Sequence, residues 1–289
     1  MPESETRLGI GLVLPLIVLQ LAVSIYPIAY SLYLSFTNTN PLAHASQFIG
    51  LANYFGVPGD TDITSAILVS VRFIAETTIL IVLMSIGMAL VLNERIRGLT
   101  LLKIIVIIPW SLSEFAVAIV GRFFLDSNYG LLNSLLVRLG LFRFPYVFLN
   151  VSNSIEWISL FYTWNFAPIG AFFILSSLQT VPDVLYKAAR IDGASSLLRF
   201  RAVTFPFIRY SVLITMVLAT IQSGGAVVIF FALTGGGPGT ASTSVTLQTF
   251  RIFFNASRYG YASAISWLTL VFIATATTAY FYLLSRRRR

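Results

Sequence analysis

Five polar or aromatic residues interrupt the apolar segments of the sequence at positions suited to binding a ligand. Trp110 and Glu114 are four residues apart, a spacing that puts both side chains on one face of a helix. Trp164, Asn165 and Gln222 also lie midway along apolar segments. An indole ring packs against the C–H face of a sugar, while carboxylates and amides accept its hydroxyl protons. We expect these residues to line a polar cavity; the alternative for each is packing between helices.

Charged residues inside apolar segments are costly, so they indicate either function or paired structure. Arg72 and Glu76 are four residues apart, and so are Arg122 and Asp126. This spacing allows an ion pair on one face of a helix. It therefore favours structural, self-paired side chains over a functional site at both places.

No catalytic constellation is present in the sequence. It contains one histidine, no cysteine, no phosphate-binding G-x-x-x-x-G-K-[ST] motif and no carboxylate cluster with metal-ligand spacing. His44 lies in a polar loop and is expected to be solvated. We predict a non-catalytic protein that binds no cofactor or metal and takes its energy from a partner.

The composition excludes a soluble domain. Hydrophobic residues make up 57% of the chain and charged residues 10%, with a mean hydropathy of +0.84, whereas soluble domains carry about 25% charged residues. The net charge of +8 would suggest nucleic acid in a soluble chain, but here the basic residues lie beside apolar segments, which indicates membrane topology. We predict an all-α integral membrane protein in contact with lipid and without a nucleic-acid partner.

Six apolar segments are long enough to cross the roughly 30 Å core of a bilayer as helices. The first exceeds the core of a signal peptide, so it is expected to remain as a membrane helix, bent at Pro15 and Pro27. Gly224 and Gly225 would let the fifth helix break or let a ligand approach its backbone. The predicted spans, within a single domain over residues 1–289, are 8–36, 67–92, 100–125, 155–178, 207–233 and 261–284.

The basic residues favour a cytoplasmic location for both termini. With that orientation most of them fall in cytoplasmic segments, namely Arg7, Arg95, Arg97, Lys103, Lys187, Arg190, Arg199, Arg201, Arg209 and Arg286 to Arg289. Arg138, Arg143, Arg251 and Arg258 fall outside. In the long external loop, glycines and a proline bound a short interfacial helix that we predict over 131–139.

The segment 180–206, TVPDVLYKAARIDGASSLLRFRAVTFP, is a cationic interruption of the apolar second half. Thr180 and Asp183 form a capping pattern around a proline, so we expect a helix to begin there with one apolar stripe. Gly193 supplies the left-handed turn that ends it. The markers of a second short helix are a cap at Ser195 or Ser196 and a stop at Pro206.

Within this segment, KAARIDGASSLLRFRAVTFP resembles the EAA loop of the membrane permease subunits of ATP-driven (ABC) importers, especially the sugar branch typified by the maltose and glycerol-phosphate permeases. In that family the loop forms a coupling helix that sits in a cleft of the ATPase subunit. The family's leading glutamate is Lys187 here, so a carboxylate contact at that position is not expected. The resemblance implies coupling to an ATPase through Tyr186, Lys187, Ala188, Ala189, Asp192, Gly193 and Ala194.

Two further segments resemble the same branch. FIGLANY, residues 48–54, is similar to the segment that follows its first helix. GGGPGTASTSVTLQTFRIFFNASRYGYASAIS, residues 235–266, is similar to its GGP loop and to the start of its last helix. Gly236, Gly237 and Pro238 are expected to form a tight external turn, because this composition disfavours helix.

The resemblance implies the six-helix fold of type I ABC importer permeases with a cytoplasmic coupling-helix loop. It also implies a second permease, identical or homologous, two ATPase subunits that carry ATP and Mg, and an external binding protein that delivers a sugar at the cell membrane. Another small polar solute such as glycerol phosphate is the alternative substrate. A secondary carrier or channel is the alternative class, although carriers usually have more spans and inverted repeats. A membrane enzyme is disfavoured because paired carboxylates or histidines near one interface are absent.

Overall fold

The computed structural model describes residues 3–43, 46–94 and 97–285, with side chains within 11–43, 46–94 and 97–282. His44, Arg95 and Arg286 to Arg289, whose solvation or sidedness was predicted, lie outside these ranges. The described residues form helices joined by turns and loops, with no β-strand among them; Thr37 and Phe48 form an isolated bridge. The fold is therefore all-α, as predicted.

The helices are numbered in chain order along the described residues. They are α1 Glu3–Gln20, α2 Tyr26–Ser35, α3 Ala52–Gly56, α4 Thr61–Asn93, α5 Leu99–Ser111, α6 Glu114–Leu125, α7 Leu131–Arg138, α8 Ser154–Leu178, α9 Asp183–Ile191, α10 Ser196–Arg199, α11 Phe205–Gly224, α12 Val228–Leu233, α13 Val245–Phe254 and α14 Tyr259–Ser285. Turns of π-helix at Leu21–Ile25 and Phe200–Thr204 join α1 to α2 and α10 to α11.

Among the described residues, five continuous helical segments are long and apolar enough to cross a membrane. There are six if one bent helix pair is counted as a single span. The segments are Gly11–Ser35, Thr61–Asn93, Ser154–Leu178, Ser196–Gly224 and Tyr259–Tyr282, with the pair Leu99–Ser111 and Glu114–Leu125. They overlap all six predicted ranges.

The third predicted span, 100–125, is broken rather than continuous. α5 and α6 meet at an angle of 94°. Leu112 is extended, and the hydroxyl of Ser113 caps α6 by accepting the N–H of Ala116 at 3.2 Å. The amide of Asn165, on α8, donates to the carbonyls of Pro109 and Leu112. The break therefore has a partner for the backbone groups that a continuous helix would have satisfied internally.

The fifth predicted span, 207–233, is also divided. α11 ends at Gly224, where two glycines were expected to permit a break, and α12 begins at Val228. At its other end the predicted stop at Pro206 is wrong, because α10, the π-turn and α11 run on without interruption. The N–H of Phe205 bonds to the carbonyl of Phe200 in that wider turn, which accommodates the proline beside it.

The chain divides into two compact units, of which the larger comprises residues 65–248 and 271–289. Its core holds Phe73, Tyr162 and Phe230, whose rings meet edge to face with centroids 5.3 and 4.6 Å apart. Buried hydroxyls join α4 to α11, with Thr77 donating to Ser223 at 2.8 Å and Thr78 lying 3.2 Å from Thr220. Small hydroxyl residues allow membrane helices to approach closely and hydrogen-bond across the contact.

The smaller unit comprises residues 1–64 and 249–270 and includes FIGLANY and the start of α14. Asn53 donates to the carbonyls of Ser35 and Thr37 at 2.9 and 2.8 Å. Gly260 approaches the Thr37 carbonyl so closely that a Cβ there would collide with it. The hydroxyl of Tyr261 donates to Asp60 at 3.0 Å. The two segments that resemble the sugar-permease branch thus contact the same turn after α2.

Candidate functional site

A cavity of about 290 Å³ lies between α4, α5, α8 and α11 in the larger unit. Trp110 of α5 and Gln222 of α11, both predicted to line a polar cavity, lie in its wall. The remaining lining residues are Ile81, Phe166, Ile169, Gly170, Phe173, Thr215, Leu218 and Ala219. Its volume lies just below the range for ligand pockets, about 300 to 1,000 Å³. The structure thus brings together two of the five predicted residues.

The wall combines aromatic planes with a few polar groups. Trp110 is 46% exposed and faces the same space as the rings of Phe166 and Phe173. The carboxamide of Gln222 has no hydrogen-bond partner among the described residues, so its donor and acceptor atoms are available to a ligand. The hydroxyl of Thr215 donates to the Ser211 carbonyl at 2.8 Å and keeps its lone pairs for accepting. This set can stack on and hydrogen-bond a polyhydroxylated ring.

Close packing at Gly170 holds one side of the cavity in place. A Cβ at this position would collide with the side chains of Ser85 on α4 and Thr215 on α11. The hydroxyl of Ser85 donates to the carbonyl of Ala167 at 2.8 Å, on the same stretch of α8. α8 therefore packs against α4 and α11 so closely that only glycine fits at position 170. This packing fixes the position of the aromatic residues that α8 contributes to the cavity.

Glu114 is not among the residues that line this cavity. The prediction that Glu114 and Trp110 share one helix face is wrong, because the chain bends by 94° between α5 and α6. Its carboxylate accepts the backbone N–H of Ile229, in the first turn of α12, at 2.8 Å. Glu114 thus joins the two broken spans, with α12 packed on α6. A contact with substrate stays a prediction.

Asn165 and Trp164 also have structural surroundings. Asn165 is buried and holds the break between α5 and α6, while Trp164 is about one-third exposed and is not among the residues that line the cavity. Sequence reasoning missed Phe166 and Phe173. These two residues lie on one face of α8 with Ile169 and Gly170, at the helical spacing i, i+3, i+4 and i+7. That spacing was the available signal.

One of the two predicted ion pairs is present. Arg72 pairs with Glu76 at 2.7 Å and also with Glu156 of α8, and Ser159 donates to Glu76 at 3.1 Å. No ion pair joins Arg122 and Asp126, although both residues are described.

α6 ends at Leu125, so the helical spacing assumed for that second pair does not extend to Asp126. Its carboxylate instead accepts the backbone N–H groups of Asn128 and Tyr129 at 2.8 and 3.2 Å. The Asn128 bond is the main cause that lowers the pKa of Asp126, and the charge of Arg122 adds a smaller effect. The predicted pair is therefore replaced by a turn.

The segment predicted to contain the coupling helix forms two short helices, α9 and α10. The predicted capping pair is wrong, because Pro182 is the cap of α9 and the hydroxyl of Thr180 donates back to Ser177 at 2.8 Å. Gly193 is left-handed, with φ +72°, as predicted. Ser195, one of the two predicted caps, begins α10 by accepting the N–H of Leu198 at 3.3 Å.

The apolar side chains of this segment face away from the described part of the protein. Val184 is 70% exposed and Ile191 86% exposed, and α9 contains no buried residue. The hydroxyls of Tyr186 and Thr204 lie 3.0 Å apart and tie α9 to the π-turn that leads into α11. Of the predicted coupling residues, Tyr186, Ala189 and Ala194 are half-buried, whereas Lys187, Ala188, Asp192 and Gly193 are exposed.

The glycine-rich segment after α12 forms a tight turn, as predicted. Gly235 and Gly236 have φ values of +62° and +83°, which other residues rarely adopt. Ser242 donates its hydroxyl to Gly237 at 2.7 Å and its N–H to Gly236 at 3.2 Å. Thr243 donates to Gly236 at 3.0 Å. Hydroxyl groups thus hold the turn that includes Pro238.

Comparison with known proteins points to one family. Residues 81–289 match the family described as binding-protein-dependent transport system inner membrane component. A trehalose/maltose transport system permease of Thermococcus litoralis is 33% identical over 276 residues, 96% of this chain and 93% of that protein. A multiple sugar-binding transport system permease of Streptococcus mutans is 30% identical, over 91% of this chain and 89% of that protein.

The fold has a counterpart among solved structures. A chain of a bacterial alginate ABC transporter, solved in complex with a periplasmic protein bound to an alginate pentasaccharide, matches with a TM-score of 0.83 and 20% identity. The match covers 98% of this chain and 96% of that one. The family match and the identity to the Thermococcus permease show that the chain belongs to the binding-protein-dependent transport system inner membrane components. Because it also has several helices apolar enough to cross a membrane, it is a multi-pass permease subunit of an ABC importer.

Proposed function

We propose that the protein moves a sugar, delivered by an external binding protein, across the cell membrane into the cytoplasm. Relatives with at least 30% identity are named for trehalose, maltose and multiple sugars. The observation that carries the proposal is the cavity, where the indole of Trp110 and the unpaired carboxamide of Gln222 face one space. Aromatic planes and unpaired amides are the groups that recognise a polyhydroxylated ring.

In this proposal the energy comes from two partner ATPase subunits, which carry ATP and Mg. The sequence has no phosphate-binding motif of its own. The exposed apolar side chains of α9 offer a surface that a partner can cover. The hydrogen bond between Tyr186 and Thr204 would pass a movement of α9 to the base of α11, which carries Gln222 at its other end.

The working assembly that we propose contains a second permease, identical or homologous, and has both termini in the cytoplasm. The basic residues of 180–209 then face the ATPase subunits, and the glycine turn after α12 faces the binding protein. ATP-driven closure of the ATPase pair would favour the state whose cavity opens outward. Opening of the pair would favour the state whose cavity opens inward. The breaks in the third and fifth spans lie next to this cavity and are suited to such a change.

Uptake by proteoliposomes that contain the complete transporter tests this proposal. Gln222→Leu keeps the approximate volume and removes the carboxamide, so we expect the KM for a trehalose or maltose substrate to rise about fivefold, the effect of one lost hydrogen bond. Gln20→Leu, on the exposed first span, is the matched control and should leave uptake unchanged. Equal KM values for both variants would remove the cavity from the sugar pathway, and ion currents from the chain alone would indicate a channel.

A further inference from the structure

The segment between α6 and α8 carries an apolar surface that the described part of the chain leaves uncovered. Leu131 and Leu135 lie one turn apart on α7, and both are exposed. The surface continues beyond the helix through Leu139 and Leu141 to Phe144, which is 78% exposed. We refer to residues 131–144 as the α7 segment. Exposed apolar side chains in this density mark a contact with another phase or molecule.

The α7 segment is held in one conformation by a buried amide. Asn133 is 3% exposed, and its Nδ2 donates to the carbonyls of Asp126 and Tyr146 at 3.1 and 2.9 Å. Its Oδ1 accepts the N–H of Tyr146 at 2.9 Å. Gly140, with φ +70°, ends the helix and donates to Val137 at 3.0 Å. The apolar surface is therefore a fixed feature of the fold.

The attachment points of the segment place it at a membrane boundary. It follows α6, which ends at Leu125, and precedes α8, which begins at Ser154; both are parts of candidate membrane spans. A short helix at this boundary cannot bury its leucines in the bilayer core by crossing it. Lying in the plane of the interface buries them instead, with the apolar face toward the acyl chains.

The charges of the segment complement one kind of lipid. Leu131, Leu135 and Arg138 follow the spacing i, i+4 and i+7, so the arginine ends the same face of the helix. Arg143 lies in the loop beyond, lining a shallow concavity with Phe144 and its neighbours. Between Asp126 and Glu156 the sequence contains no acidic residue. Neither arginine forms an ion pair with a described residue, so both guanidinium groups remain available to phosphate oxygens.

We propose that the α7 segment binds the membrane surface, with its leucines and Phe144 among the acyl chains. Arg138 and Arg143 hold the phosphate groups of anionic phospholipid. The segment is thus an interfacial anchor with a preference for anionic headgroups, built into the loop that links the broken third span to α8. This anchoring would be the same whichever solute is transported.

Quenching by brominated lipids tests the anchor on the full chain in nanodiscs. Because the sequence has no cysteine, Leu135→Cys gives a unique site for a bimane label. We expect quenching by dibromo-phosphatidylcholine, and stronger quenching by dibromo-phosphatidylglycerol at equal mole fraction. A basic residue near an anionic surface favours binding about fivefold. Asp192→Cys, at the exposed end of α9, is the control and should be quenched by neither lipid.

Replacing both arginines separates the two parts of the proposal. In the labelled chain, Arg138→Gln together with Arg143→Gln should abolish the preference for phosphatidylglycerol, while quenching by phosphatidylcholine persists and shows that the segment keeps its place. Absence of quenching at position 135 by either lipid would overturn the proposal, because the leucines would then not lie among the acyl chains. If both lipids quench the labelled chain that keeps Arg138 and Arg143 equally, the proposed headgroup preference is wrong.

Discussion

The cavity and the coupling segment are built in opposite ways. Around the cavity, α8 packs so closely on α4 and α11 that only glycine fits at position 170, and buried hydroxyls join α4 to α11. In the predicted coupling segment, residues 180–206, α9 has no buried residue and Ile191 is exposed. All residues that line the cavity belong to the larger unit, whereas the apolar surface of α9 would gain burial if a partner covered it. The difference separates a cavity lined by one unit of the chain from a surface that we propose binds a partner.

The largest effect is expected at the turn that ends α9. Gly193→Pro requires a negative φ where the backbone has +72° and removes the N–H that bonds to Arg190 at 3.1 Å. We expect sugar uptake to fall at least tenfold with normal membrane insertion, because the turn that shapes the coupling surface is lost while the cavity is untouched. Uptake and ATP hydrolysis by the reconstituted complex measure this. Unchanged uptake would remove the segment from coupling.

The second effect concerns the link between the two broken spans. Glu114→Ala removes the acceptor of the Ile229 N–H, and an unsatisfied buried donor costs about 1 to 3 kcal/mol. We expect a lower thermal unfolding temperature and reduced uptake. Glu114→Gln keeps an acceptor oxygen and should recover most of the lost stability. If the glutamine and alanine variants unfold at the same temperature, the hydrogen bond is not what joins α6 to α12.

The smallest effect is expected for charge on the coupling surface. Lys187→Glu reverses an exposed charge, and exposed ion pairs contribute about 1 kcal/mol or less. We expect the affinity of the chain for its ATPase partner to change less than tenfold, measured by titration of the purified partner. Lys103→Glu is a control on another element. Complete loss of assembly in the Lys187 variant would mean that charge, and not apolar contact, dominates this surface.

Local sequence patterns predicted those features that depend on short stretches of chain. The lengths of the apolar segments predicted the membrane spans. Gly193 predicted the end of α9, and Gly224 predicted the break after α11. These depend on hydrophobicity and on backbone freedom, which single residues determine.

Features that depend on contacts between distant helices were not predictable in this way. The bend between α5 and α6 is held by Asn165, more than fifty residues away, and the role of Glu114 follows from Ile229. Because the chain bends between Trp110 and Glu114, their four-residue spacing does not place them on one helix face. The hydroxyl of Thr180 donates to the carbonyl of Ser177 and does not act as the cap of α9, which is Pro182. Such partners come from tertiary packing, which overrides local propensity.

Thiol protection tests both sides of the comparison in one measurement. In a chain without natural cysteines, Gln222→Cys places a reactive group in the cavity and Ile191→Cys places one on α9. We expect the transported sugar to slow labelling at position 222 and not at 191, and assembly with the ATPase subunits to slow labelling at 191. Sugar that leaves labelling at 222 unchanged while uptake persists would contradict the account, as would a residue 191 that stays fully reactive in the assembled transporter.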